Sequence, residues 1–381
     1  MDDALVTAWR HLPPQAELAR SWRDLEARSD ASFFLSWAWI ATWLAMLPPS
    51  VQPRLLQATR GGRLVGMGLL VPGWTRRCRW LPVRCWLLHE SGLPALDTLT
   101  IEYNDFLLDR DGAAGTRLAM VKAVSQALGR RLKLEAGVPA FQQLAEDLPP
   151  DLVFQGYSRP CHWVDLEIVR QAKGGFLGVL SGNRRSQIRQ GLKAYEQLGV
   201  LTLQPAADLP TARHYLDRLF ALHAQTWAAR GEASEFTGAP LARAFHERLL
   251  DDAFSQGALQ LLRVSAGDAE VAYLYNFVHR GRVIAYQAGM RYGLLPRHDQ
   301  PGYVAHALAI DHNAAQGLAC YDFLAGQGAY KEWLSTDRCW LHWCEVEPRT
   351  WATALEARLK PVWRSAKRRW EPAVPSREVR R

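Results

Sequence analysis

Two stretches of this 381-residue chain hold residue types that do chemistry. In the first, Leu294-Leu295-Pro296-Arg297-His298-Asp299-Gln300-Pro301-Gly302-Tyr303 leads straight into an apolar-periodic run, so a helix is expected over Tyr303–Gln316. The first amides of a helix lack partners within it and sit at the positive end of its dipole, an arrangement that suits a pyrophosphate. Gly302 permits close approach, and Arg297 offers a charge-assisted contact. An ordinary strand-to-helix loop has the same composition. In the second stretch, Arg184, Arg185 and Arg189 share one predicted helix, with Arg185 and Arg189 on one face. They suit a phosphate, or form a plain solvated face.

Other chemistries lack their signatures. No GxxxxGK[ST], GxSxG or HExxH occurs, which argues against nucleoside-triphosphate cradling, nucleophile-elbow hydrolysis and zinc proteolysis. Gly66 and Gly68 lie inside a strand without a third glycine, so they are no dinucleotide fingerprint. The six cysteines form no CxxC pair. Strand alternation puts Cys339 opposite His342 and Cys344, so no metal is expected, and free thiols in a reducing cytoplasm fit better.

The elements that must position these residues recur twice. Helices are expected over Glu17–Ala27 and Ser36–Met46, then a hairpin Arg54–Thr59 and Arg63–Val71 turning on Gly61-Gly62. Strands Val83–His89 and Asp105–Leu108, helix Ala113–Leu128 and strand Leu132–Ala136 follow, with further strands at Leu152–Gln155 and Trp163–Ile168. The second half reads helix Arg184–Gln197, strand Leu201–Gln204, and helices Thr211–Ala229 and Ala239–Phe254. It continues with strands Ala258–Val264, Glu270–His279 and Val283–Met290, helix Tyr303–Gln316, and strands Cys320–Leu324 and Cys339–Val346. Both halves run helices, antiparallel strands, a helix and a short buried strand, and Leu134-Glu135-Ala136-Gly137 echoes Phe323-Leu324-Ala325-Gly326. The fold class is therefore α/β (α+β) in two duplicated units.

Apolar residues make up 48% and charged residues 22%, enough for real cores and too apolar for a disordered chain. The 16 Trp suit cores first, and sugar- or lipid-facing grooves second. Of the net charge of +8, +7 falls between Arg358 and Arg381, so a broad nucleic-acid face is not indicated, although the tail can meet anionic lipid. The N-terminus has no signal-peptide pattern, and the apolar run Phe33–Leu47 is too short to span a bilayer and reads as a buried helix. A closing helix over Thr350–Trp370, kinked at Pro361, spaces Trp351, Leu355, Leu359 and Trp363 at four.

Around these residues the sequence resembles a known family. Tyr321-Asp322-Phe323-Leu324-Ala325-Gly326-x-x-x-Tyr330-Lys331-x-Trp333 is similar to the signature of the CelD-like (BioF2-like) group of GNAT acetyltransferases. Phe176-Leu177, Ser181-x-Asn183-Arg184-Arg185-x-x-x-Arg189, His223-x-x-x-Trp227-x-x-x-Gly231 and Phe245-His246 match further landmarks, all within residues 170–345. The group is related to the Fem-type peptidyltransferases, which carry two GNAT-like units. The resemblance implies a GNAT-like domain over 1–170, a catalytic one over 171–348, and a closing helix and basic tail over 349–381. It implies acyl transfer from acetyl-CoA or another acyl-CoA to an amine on a cell-envelope glycan precursor or related small molecule. Transfer from aminoacyl-tRNA, and a catalytically silent scaffold of polysaccharide synthesis, are the alternatives. Implied site residues are Asp322, Lys331 and Tyr330 for catalysis, Arg297, Gln300, Gly302 and Tyr303 for the cofactor, and Arg184, Arg185, Arg189, Trp227 and His246 for the acceptor. Only Gly302 survives of the usual glycine-rich cofactor loop.

Overall fold

Gly61 and Gly62 take φ of 54° and 80°, the left-handed pair of a two-residue turn, and so close a hairpin at the place where the sequence requires one. Arg280 and Gly281 (φ 51° and 75°) do the same in the second half. The structure is a computed structural model and describes residues 4–77, 80–99, 101–126, 131–231, 234–239, 241–326 and 328–356.

The first half supplies β1 (Leu5–Arg10), β2 (Arg54–Arg60), β3 (Arg63–Arg77), β4 (Leu81–Leu88), β5 (Leu107–Leu108), β6 (Arg131–Gly137) and β7 (Leu152–Asp165). The second supplies β8 (Leu201–Pro205), β9 (Leu259–Ala266), β10 (Ala269–His279), β11 (Arg282–Met290), β12 (Cys320–Ala325) and β13 (Asp337–Pro348). They form one mixed, mostly antiparallel sheet in the order β1-β2-β3-β4-β6-β13-β7-β12-β11-β10-β9-β8, with β5 beside β3. Read inward from either edge, the pattern is the same. Four antiparallel neighbours are followed by one parallel step, β4 to β6 or β11 to β12, and then by the last strand of the other half. The halves thus exchange their final strands, and β7 and β13 pair along twelve residues at the centre.

Alternation along the strands feeds two layers. Leu55, Met67 and Leu69 face a core that crosses both halves, while Leu56, Leu70 and Trp86 face the opposite side. Helices Gln15–Ala27, Trp37–Met46, Leu209–Ala229 and Ala242–Ala253 cover the shared core, where Phe33 stacks on Phe277 at 4.4 Å and Trp39 meets Phe245 at 4.8 Å. Helix Ala113–Gln126 covers the opposite face of the first half, and Gly182–Glu196 with Pro301–Ala315 that of the second. Ser36 caps its helix through the amide of Trp39, and the apolar run beginning at Phe33 is buried as expected. Among the described residues no helix is long and apolar enough to cross a membrane.

Several elements differ from the sequence reading. β1 was unexpected, and Leu152–Gln155 and Trp163–Ile168 belong to one strand, β7, that ends where Asp165 caps the helix Leu166–Gln171. The tetrapeptide echo is off by one residue. The bulges place Asp322 opposite Trp163 and Leu134 opposite Cys344 just before each break, and Leu324 (φ 61°) corresponds to Ala136 (φ 48°). Residues 351–356 are helical, but Trp351 (82%) and Leu355 (48%) face outward, and the docked side is Thr353 and Glu356. Leu359, Pro361, Trp363 and the basic tail lie outside the described residues.

Candidate active site

Parallel pairing of β11 with β12 lasts three residues, from Arg282 opposite Cys320 to Ile284 opposite Asp322. β12 then bulges toward β7, which leaves β11 from Ala285 onward paired only with β10. A cavity of about 420 Å³ opens there, lined among others by Ala285, Gln287, Trp227, Gly302, Tyr303 and Tyr330. Its floor is fixed by helix Leu209–Ala229. Gly289 lets the Leu219 backbone close in (a Cβ would sit 2.7 Å from its carbonyl oxygen), the His223 ring bonds the Ala288 carbonyl at 3.0 Å, and Thr226 donates to that of Met290. In the first half the equivalent gap is closed. Asn104 pairs with Gly137, its amide donates to Ala136 and its side chain to Leu88.

The helix that begins at Pro301 points its first turn at the open cavity. Pro301 has no N–H, and the amides of Gly302 and Tyr303 find no protein acceptor among the described residues; the first closing bond is from Val304 to Gln300, at 3.3 Å. A Cβ on Gly302 would meet only Met290 Cε, at 3.9 Å. The preceding loop is pinned by Asp299, which accepts from the Tyr195 hydroxyl (2.6 Å) and the Gly293 amide (2.5 Å), while Gln187 donates to Gln300. Gln300, Gly302, Tyr303, Tyr330 and Trp227, separated in sequence by up to 103 residues, thus share one cavity.

The basic residues do not converge on it. Arg297 and Arg189 are exposed and line no part of it. Arg185 donates to the carbonyls of Gly178 and Leu180, so it closes a turn instead of reaching outward. Arg184 lies over Trp333 at 5.8 Å, and Trp333 meets Tyr303 at 6.2 Å, which brings it toward the rim, while Arg230, over the Trp227 ring at 5.7 Å, lines the cavity itself. His246 corrects the acceptor assignment. It is fully buried among Phe236, Phe245, Tyr275 and Tyr286, its ring nitrogens have no hydrogen-bond partner, and burial lowers it to about 3.

Asp322 is also fully buried, on the face of β12 turned toward the first half. Its oxygens accept from the Tyr103 hydroxyl (2.5 Å), Cys161 (3.3 Å), Arg282 Nη1 (2.8 Å) and the Leu324 amide (2.7 Å). Four donors fill its lone pairs, so it organises the junction and has no room to take a substrate proton. Burial, then the Asp322 charge, pushes the Tyr103 hydroxyl well above its usual range, so Tyr103 stays a donor. Lys331 is anchored nearby, donating to the carbonyls of Ala325 (2.6 Å) and Leu324 (3.3 Å) on the left-handed turn. Burial lowers its pKa, opposed by Glu102, Cys161 and Asp322. Glu102, which accepts the Ala325 amide at 2.6 Å, is raised by burial to about 7. Lys331 lies in the helix Ala329–Leu334. Tyr330, one residue earlier, stacks on His306 at 5.8 Å, and desolvation raises its hydroxyl to about 12.

Tyr103, Glu102, Arg282 and His306 escaped the sequence reading. Tyr103 lies 219 residues from its partner, and Arg282 sits in what reads as a hairpin turn, so neither carries a local signal. No group of metal-ligating side chains occurs among the described residues.

Residues 182–332 match the family described as Acetyltransferase (GNAT) domain, a span that holds β8 to β12, the Pro301 helix and the cavity. No curated protein matches the chain. Among solved structures, FemX is similar with a TM-score of 0.56 at 10% identity, over 93% of this chain and 100% of that one. The C-terminal DUF2156 domain of an Agrobacterium fabrum protein gives 0.53 at 13%, over 91% and 96%. A conserved protein of unknown function from Bacteroides thetaiotaomicron gives 0.50 at 9%, over 90% and 100%. At these identities the likeness is one of fold. The fold is GNAT-like, and the domain match supports an acyltransferase.

Proposed function

We propose that the chain transfers an acyl group, acetyl in the simplest case, from acyl-CoA to an amine on a cell-envelope glycan precursor or related small molecule, as a member of the CelD-like group. The observation that carries this reading is the pair of unpartnered amides at Gly302 and Tyr303, facing a cavity that runs along the open edge of β11. Those amides hold the diphosphate of the donor, Arg184 supports it from the rim, and the open edge of Ala285–Ala288 lies alongside the pantetheine arm.

A neutral amine attacks the thioester carbonyl, the C–N bond forms, the C–S bond breaks, and the CoA sulfur leaves as a thiolate. Most of the rate comes from positioning and from donors aimed at the developing oxyanion. Tyr330 keeps its proton at neutral pH and stands in the cavity to donate a hydrogen bond to the leaving sulfur, while the proton released by the amine passes through water to the thiolate. Asp322 and Lys331 act as positioning residues, since both hold the β12 turn beside which Tyr330 begins its helix. The basic residues after 357 are assigned, on charge alone, to the surface of an anionic membrane.

Thermal denaturation with CoA and acetyl-CoA tests this. At 100 times its dissociation constant either ligand adds about 2.7 kcal/mol. Gly302→Glu places a carboxylate at the helix start, which the helix dipole tolerates and a diphosphate does not. The variant is expected to fold as stably as the parent and to lose at least about tenfold in CoA affinity. A parent that responds to no thioester and to no free CoA turns the reading toward aminoacyl-tRNA as donor.

A further inference from the structure

We infer that a cavity between the two halves, lined by Arg117 and Arg282, binds an anionic group of the acyl acceptor, a carboxylate or a phosphate; its assignment to the acceptor rests on the acyl-transfer reading. The cavity holds about 620 Å³, with Phe33, Tyr103 and Arg117 from the first half facing Arg282, Ile284 and Cys339 from the second. Two guanidinium groups reach it, each steadied from behind by a buried carboxylate. Arg117 gives Nε and Nη2 to Asp105 (3.0 and 2.6 Å) and leaves Nη1 without an acceptor among the described residues. Arg282 gives Nη1 to Asp322 and lies over the Tyr103 ring at 5.7 Å, which leaves Nε and Nη2 without one. Arg110 and Arg280 also line the wall, with Asp30 and Asp105; with Asp322 behind Arg282, four cations meet three carboxylates among the described residues. Donors fixed before the ligand arrives are what a planar or tetrahedral anion needs.

The location gives this cavity a role. Arg282 and Ile284 line it, and the next residues of β11, Ala285 and Tyr286, line the donor cavity. An acceptor anchored at Arg282 therefore presents its amine about 10 Å away, three residues along an extended strand. The two linings adjoin along β11, at Ile284 and Ala285, where β11 and β12 part.

Cys339 lines the cavity and can report its potential without any acyl transfer. The intact chain is treated with the anionic sulfonatoethyl and the cationic trimethylammonioethyl methanethiosulfonates. Labelling at Cys339 is read by peptide mass mapping and normalised to free cysteine. The anionic reagent is expected to be favoured about tenfold, a preference kept by Arg282→Lys and largely lost in Arg282→Gln. Inorganic phosphate or malonate is expected to slow labelling of the parent and not of Arg282→Gln, and the more effective of the two names the anion. Equal normalised rates, no labelling by either reagent, protection by neither anion, or a preference unchanged in Arg282→Gln overturns the proposal. A chain that fails to bind CoA but passes this test keeps the anion site and loses only its link to acyl transfer.

Discussion

Asp322 shows how much a single side chain can hold. It ties β12 to Tyr103 of the first half, to Cys161 of the exchanged strand and to Arg282, while its own turn closes on it through Leu324. Removing a buried carboxylate leaves those donors without acceptors and one guanidinium without its counter-ion. Asp322→Ala is therefore expected to cost roughly 3 kcal/mol, read as a lower urea midpoint at unchanged slope. A free catalytic base would move activity and leave the midpoint where it was. The expected helix start drew attention to Gly302, and the family resemblance to Asp322, which lies in the middle of β12. His246 shows the limit of such reading. A histidine on an apolar helix face looks the same in sequence whether the face meets a ligand or, as here, a cluster of aromatic rings.

At the scale of elements, the exchange of β7 and β13 decides what can fold alone. Residues 171–348 contain all of the cavity but lack β7, which separates β12 from β13 in the sheet. Such a fragment leaves the inner edge of β12 and both edges of β13 bare, with the Asp322 cluster missing Tyr103 and Cys161. It is expected to be aggregated or unfolded by gel filtration and circular dichroism; a soluble, cooperative monomer sinks the idea that the exchanged strand is obligatory. The sequence marked β7 as two short strands because its middle, Gly156 to Arg159, is exposed and carries no apolar alternation. The pairing with β13 holds that stretch in the sheet, through Trp343 stacked on Tyr157 at 5.6 Å with Arg159 beside them.

For the molecule as a whole, buried ionisable groups set opposite limits on pH. Burial lowers His89 to about 4 and His306 to about 3, so the folded state excludes protons that the unfolded chain takes up below about 6.5; that stability is present above 6.5 and lost on acidification. Burial raises Glu90 to about 8, and its Oε2 has no hydrogen-bond partner. A carboxyl raised from 4.5 to about 8 gives stability that is full below 4.5 and lost as pH climbs through 8. Glu90→Gln is thus expected to change little at pH 4.5 and to gain about 4 kcal/mol at pH 8.5, by chemical denaturation at both values. An equal effect at the two values refutes the buried, proton-bearing carboxyl.

Turn chemistry and periodicity act between near neighbours, so the sequence alone settled the hairpins at Gly61-Gly62 and Gly281, the helix that begins at Pro301-Gly302 and the α/β character of both halves. Which strand pairs with which is a matter of non-local hydrogen bonding, and an alternating strand satisfies its faces equally well beside several partners. Only the tertiary structure sent each last strand into the opposite half, filled one cleft with Asn104 while leaving its counterpart open, and set Tyr103 against Asp322. The cavity between the halves, with Arg117 from one and Arg282 from the other, exists because of that exchange and has no trace in either half read alone.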